Sequence, residues 1–247
     1  MKGLPACLLL LLSLSVPVTA QGTFVSGVAG RGNYAGRTER PLRYRPEGSD
    51  FVIENGQEFF NRPLYGTNTA FRVDAGDRPE FSLYLPGRGG VLRLGIKTDA
   101  GAKWLFDAQR VSTRYRPGSM LYEIRDPLLG GGVLHLTALA SGEGEGLVLR
   151  AELRDTSSPL ELVWAYGGAS GERGRRDGDI GTEPVPVSQF FQLKPEHCRG
   201  NSFAVSEDTF TLRSKPATIT GLAPQGSKLA LADATKWSSL KDRKSVV

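Results

Sequence analysis

Along most of this chain, apolar and polar residues alternate one by one instead of recurring every third or fourth position. That is the period of side chains that point to opposite faces of a strand. In Leu147-Val148-Leu149-Arg150-Ala151-Glu152-Leu153-Arg154, positions 147, 149, 151 and 153 share one apolar face while Arg150, Glu152 and Arg154 face the other way. The same texture predicts strands over 70–74, 80–85, 91–96, 103–106, 109–116, 120–125, 133–140 and 160–166, and further ones over 190–194, 203–205, 209–212 and 228–232. Asn55-Gly56 between 51–54 and 57–60 predicts a hairpin, because both residues tolerate the positive φ of a two-residue type I′ turn. Turn residues recur at about ten-residue spacing, as in Pro117-Gly118 and Gly130-Gly131-Gly132. The expected fold is all-β, a large antiparallel β-sandwich with one sheet face in the core and the other in water.

The two ends read differently. Lys2, the short apolar run 7–14 and Val18-Thr19-Ala20 make residues 1–20 a signal peptide, so the mature chain is expected to start at Gln21 and to be exported to the periplasm or beyond. Residues 21–40 read as a flexible linker and 41–241 as the sandwich domain. The last six residues, 242–247, written back as codons, match the read-through of a common sequencing adapter, and the natural protein is expected to continue instead. Cys198 is then the one cysteine left, which excludes an intramolecular disulfide and suits a buried thiol. The formal charge of +5 falls to about +3 once Lys2 and 242–244 are set aside. With Arg and Lys scattered among Asp and Glu, a nucleic-acid partner is excluded. No apolar run is long enough to span a bilayer.

Most candidate chemistry fails against an all-β frame. Gly30-Arg31-Gly32-Asn33-Tyr34-Ala35-Gly36 has no helix after it to receive a pyrophosphate, and in 221–228 Ser227 and Lys228 stand in the reverse of phosphate-loop order. Ser170 lacks the spacing of a nucleophile elbow. His135, on the polar side of its strand, and His197, beside Cys198, give no zinc-ligand spacing, so no metal and no cofactor are expected. Asp177-Gly178-Asp179 offers hard oxygen ligands but reads as an exposed loop between charges. Asp74, Asp77, Glu80, Glu123, Asp126, Glu172, Asp177, Asp179 and Glu183 supply the carboxylates a glycosidase would need, and none stands out by spacing. Trp164 and Tyr166 can stack on a sugar, although such residues are more often core or edge packing. Behind them the Gly-rich, charged stretch 167–183 brings Arg176, Asp177 and Asp179 to the same sheet edge, where a guanidinium and carboxylates suit an acidic or hydroxyl-rich glycan.

The runs Phe60-Asn61-Arg62-Pro63-Leu64-Tyr65-Gly66-Thr67-Asn68-Thr69-Ala70-Phe71-Arg72-Val73-Asp74-Ala75-Gly76-Asp77-Arg78-Pro79-Glu80-Phe81 and Trp164-Ala165-Tyr166-Gly167-Gly168-Ala169-Ser170-Gly171 resemble the secreted family named domain of unknown function 4450. The resemblance runs from about Pro41 to Lys241. It implies a part in polysaccharide utilisation, with an N-terminal sandwich joined to a helical-toroid catalytic domain of the six-hairpin glycosidase type. The expected function is therefore the sandwich of a secreted glycoside hydrolase-like protein acting on complex polysaccharide, inactive by itself. The alternative is a non-catalytic carbohydrate-binding module. The expected partners are an oligo- or polysaccharide and the missing C-terminal helical domain of the same chain.

Overall fold

The period-2 runs pair into three antiparallel sheets containing fifteen strands, β1–β15 in chain order, among the described residues. The computed structural model describes residues 43–56, 61–156, 159–173, 192–236 and 240. The first sheet runs β1 (Arg45–Glu47), β2 (Asp50–Glu54), β8 (Arg110–Arg116), β9 (Ser119–Arg125), β10 (Val133–Ala140) and β11 (Leu147–Arg154). The second runs β12 (Glu161–Gly167), β6 (Arg88–Thr98), β5 (Glu80–Tyr84), β4 (Arg72–Gly76) and β3 (Asn61–Leu64), with β7 (Gly101–Trp104) on the far part of β6. A small third sheet holds β13 (Ser202–Ser206), β14 (Thr209–Arg213) and β15 (Thr218–Leu222). The only helical elements among the described residues are short 3-10 turns.

The two large sheets share one core, which makes the fold the expected antiparallel sandwich. Val73, Ala75, Phe81, Leu94 and Ile96 come from one layer, and Val111, Met120, Tyr122, Ile124, Leu134 and Leu136 from the other. Each large side chain taken fully out of water contributes roughly 1.5–3 kcal/mol. Phe81 meets Tyr122 edge to face across the layers, with ring centroids 5.7 Å apart. The Tyr122 hydroxyl donates to the Gly76 carbonyl at 2.8 Å, which satisfies the one polar atom this ring brings into the core.

The sequence expectations depart from the structure at the Asn55 turn and in two segments of the C-terminal part. Asn55 takes the positive φ its type allows (47°), but not to fold 51–54 back on itself. Its amide donates to the Val111 carbonyl at 2.8 Å and its side chain accepts from the Val111 amide at 2.9 Å, continuing the pairing of β2 with β8. The hairpin partner of β2 is β1, across Gly48 (φ 62°) and Ser49, while 57–60 lie outside the described residues. Of the strand expected over 190–194, residues 192–194 are irregular: Leu193 is buried with Trp104, Val163, Ala165 and Leu240, and Pro195 opens a 3-10 turn. The strand expected over 228–232 is also absent, and Leu229 instead lines a cavity that Trp164 and Phe210 also line. Residues 1–42 and 241–247, on which the signal-peptide, linker and adapter readings fall, lie outside the described residues.

Candidate functional site

Strand β12 ends the second sheet, and its two faces carry different chemistry. Trp164 pairs with Leu94 and Tyr166 with Leu92 on β6, so both aromatics continue the inner face of the sheet beyond the part the first sheet covers. The third sheet covers them instead. Phe210 of β14 lies against both rings, its centroid 5.6 Å from Trp164 and 5.6 Å from Tyr166, with tilts of 40° and 42°. The Tyr166 hydroxyl donates to the Gly89 carbonyl at 2.6 Å, and burial pushes its pKa up. Between these rings, Phe203, Val205 and the irregular segment 229–232 with Ala234 is a partly open apolar cavity of about 120 Å3.

Two glycines make room for these rings. A Cβ at Gly90 would stand 2.6 Å from the Tyr166 oxygen, and one at Gly221 would stand 2.0 Å from the Phe210 ring. Real side-chain carbons do not approach so closely, so each ring lies directly on a bare stretch of backbone.

On the other face of β12, Val163 and Ala165 pack with Trp104 and Leu193, and the loop beyond Gly167 folds against the start of β6. The Gly171 amide donates to the Arg88 carbonyl at 2.9 Å and the Arg88 amide to the Glu172 carbonyl at 2.8 Å. Glu172 Oε2 then lies 3.6 Å from Arg88 Nε and 3.9 Å from His197 Nε2. Burial and the nearby Arg88 guanidinium hold His197 below the usual imidazole range against the pull of Glu172 and Glu196, so at neutral pH it is uncharged. Its Nδ1 is buried with no hydrogen-bond partner. Ser170 is a loop residue: its hydroxyl accepts from the Glu172 amide at 3.3 Å. Cys198, expected to be buried, is half-buried, and burial pushes its thiol pKa up.

The carboxylates are engaged elsewhere. Asp77, with no exposed surface, accepts from the Tyr44 hydroxyl and from Arg43 Nη2 at 3.1 Å, and Arg62 stacks over the Tyr44 ring at 4.4 Å. Burial raises the pKa of Asp77 in spite of these donors. Asp74 pairs with Arg72 (3.2 Å), Glu80 with Arg93 (2.8 Å), Asp126 with Lys103 (2.7 Å) and Glu123 with Arg125 (2.8 Å). Burial works against the charge on Asp126, but Lys103 and the amides of Leu128 and Gln109 outweigh it and hold the group low. Among the described residues no group of three or more His, Cys, Asp or Glu is placed to hold a metal ion.

Of the residues expected at the sheet edge, Trp164 and Tyr166 are thus brought together under Phe210, while Arg176, Asp177 and Asp179 lie outside the described residues. Phe210, Gly90 and Gly221 were not foreseen. The alternation of Phe203 with Val205 and of Phe210 with Leu212 marked an apolar face on β13 and β14, but nothing local said which sheet edge it would cover.

A family model described as Domain of unknown function (DUF4450) matches residues 85–242, more than half of the chain. The match takes in β6 to β15 and the run 164–171, but starts after the run 60–81. No curated protein and no solved structure matches the chain.

Proposed function

We propose that this chain, which belongs to the DUF4450 family, is the non-catalytic β-sandwich of a secreted, glycoside hydrolase-like protein acting on complex polysaccharide. The observation that carries the non-catalytic part is the state of the carboxylates. Glycosidic cleavage needs an acid and a second carboxylate facing each other across a cleft. Asp74, Asp77, Glu80, Glu123, Asp126 and Glu172 each lie instead against an arginine, lysine, histidine or tyrosine. The polysaccharide is supported by the sequence resemblance, and export by the leader-like residues 1–20. No described helix is long and apolar enough to cross a membrane. A carbohydrate-binding module would need an open aromatic platform, and the seat of Trp164 and Tyr166 under Phe210 does not favour one.

The test is release of reducing ends from a panel of plant and host polysaccharides. The chain alone is expected to release none, whereas a product of the same reading frame extended past Lys241 is expected to cleave at least one. Release by the chain alone that is lost in Glu172→Gln would overturn the proposal.

A further inference from the structure

The cavity beside β12 is lined mainly by apolar and aromatic side chains, which suit a ring without hydroxyls better than a sugar. Trp164, Phe203, Val205, Phe210 and Leu229 offer no oxygen, and the Tyr166 hydroxyl is already committed to the Gly89 carbonyl. A saccharide pressed into this space would lose water from its hydroxyls and find few partners for them, a cost that works against polar groups in apolar sites. The cavity is also built to stay open. Tyr166 is held by its hydrogen bond and by contact with the Gly90 backbone, Phe210 lies on Gly221, and β14 is paired on both sides by β13 and β15. The two aromatic walls fixed in this way resist collapse into the void, which leaves dispersion contacts that a ligand can supply.

We infer that this cavity is a binding site for a neutral single-ring aromatic group, phenyl or phenol. Size and geometry both select this class. A cavity of roughly 150 Å3 with apolar walls accepts benzene, and about 120 Å3 is near that scale. Phe210 tilted by 40° and 42° against its neighbours presents ring edges and faces to the space, which a further ring can meet in the edge-to-face or offset manner aromatic pairs prefer. The sulfur of Cys198, also in the wall, adds a soft contact of the same kind. The mouth is apolar too, with Val205 40% and Leu231 70% exposed. Joined to the reading of the previous section, on which this last step rests, the natural ligand is an aryl-substituted saccharide. Its ring enters the cavity and its sugar remains in water.

Ligand-observed NMR titration of the intact chain tests this with phenol, phenyl β-glucoside, methyl β-glucoside and N-acetylphenylalaninamide. Phenol and phenyl β-glucoside are expected to saturate with Kd of about 1 mM or tighter, and methyl β-glucoside not to bind. Ala232→Phe and Val205→Phe, at exposed mouth positions, are expected to weaken phenol at least tenfold with an unchanged circular dichroism spectrum. Leu222→Phe, outside the cavity on the alternate face of β15, is expected to leave binding as it was. Absence of saturable phenol binding, or binding indifferent to both mouth variants while they remain folded, would overturn the site and leave the hydrolase reading standing. Binding of N-acetylphenylalaninamide tenfold tighter than phenyl β-glucoside would overturn the saccharide source in favour of a protein segment. Failure of the extended protein to cleave any polysaccharide would remove the saccharide source without touching the aryl site.

Discussion

The network around Asp77 and the cavity beside β12 solve opposite problems with the same aromatic residue type. At Asp77 a tyrosine brings polarity inward: Tyr44 donates to a fully buried carboxylate, Arg43 adds a charge, Arg62 stacks on the tyrosine ring, and the Thr113 hydroxyl donates to the Asp77 carbonyl at 2.6 Å. No volume is left over, since even a Cβ at Gly56 would stand 2.5 Å from that of Asp77. Beside β12, Tyr166 sends its polarity back to the sheet and leaves its ring facing a void. The first region spends its hydrogen bonds on closure and the second on holding a shape open, so loss of a partner should unfold the one and merely reshape the other.

The largest expected effect tests the closed side. Asp77→Ala strands the Tyr44 hydroxyl and Arg43, and loss of a buried partner of this kind costs about 3 kcal/mol. For a domain of this size that is a fall in Tm of roughly 6–12 °C by calorimetry. A change under a degree or two would show the network to be idle. Next comes Gly221→Leu, which forces Phe210 from its seat at an overpacking cost of about 1–3 kcal/mol. The near-ultraviolet dichroism of the aromatics is expected to change while the far-ultraviolet strand signal persists. If the two change together, the third sheet is not separable from the main core, and the contrast between the regions falls.

The smallest effect is on pH. His197 has its folded pKa held below its ordinary 6.5, so the folded state disfavours the imidazolium. Stability from this source is fully present above about 6.5 and is lost as pH falls, because the unfolded chain takes up the proton first. His197→Asn should flatten the slope of urea-derived stability between pH 6.5 and the lower folded pKa, and an unchanged slope would show that other groups set it.

How much of this the sequence disclosed depends on how local the signal was. Strand β10 was legible because its alternation is also a burial pattern, with Leu134, Leu136 and Ala138 inside; β11 was legible by alternation although at its edge Ala151 is exposed and Glu152 half-buried. Strands β1 and β3 were not, since each contains a proline, Pro46 or Pro63, which weakens the strand signal while remaining acceptable at an edge. Strand β15 carries Gly221 for the sake of a ring eleven positions earlier in the chain, and no local rule exposes such a requirement. At the site, Trp164 and Tyr166 were legible as an aromatic pair on one face. Their cover by Phe210, the role of Gly90, and the engagement of Asp77 by Tyr44 rest on contacts between residues tens of positions apart, which periodicity does not encode.

The borders of the sheets have a further consequence. A bare strand border invites the next molecule to add its own strand, the first step of fibril growth. Here β1 and β3 end their sheets with prolines, which lack the amide such growth needs, and β11 presents Arg150, Glu152 and Arg154 linked by ion pairs of 3.2 and 2.8 Å. The other end of the second sheet, β12, has Phe210 of the third sheet lying against its Trp164 and Tyr166. Borders built in this way resist templated polymerisation, and strand-adding peptides that seed amyloid should find no growing end at β1, β3 or β11.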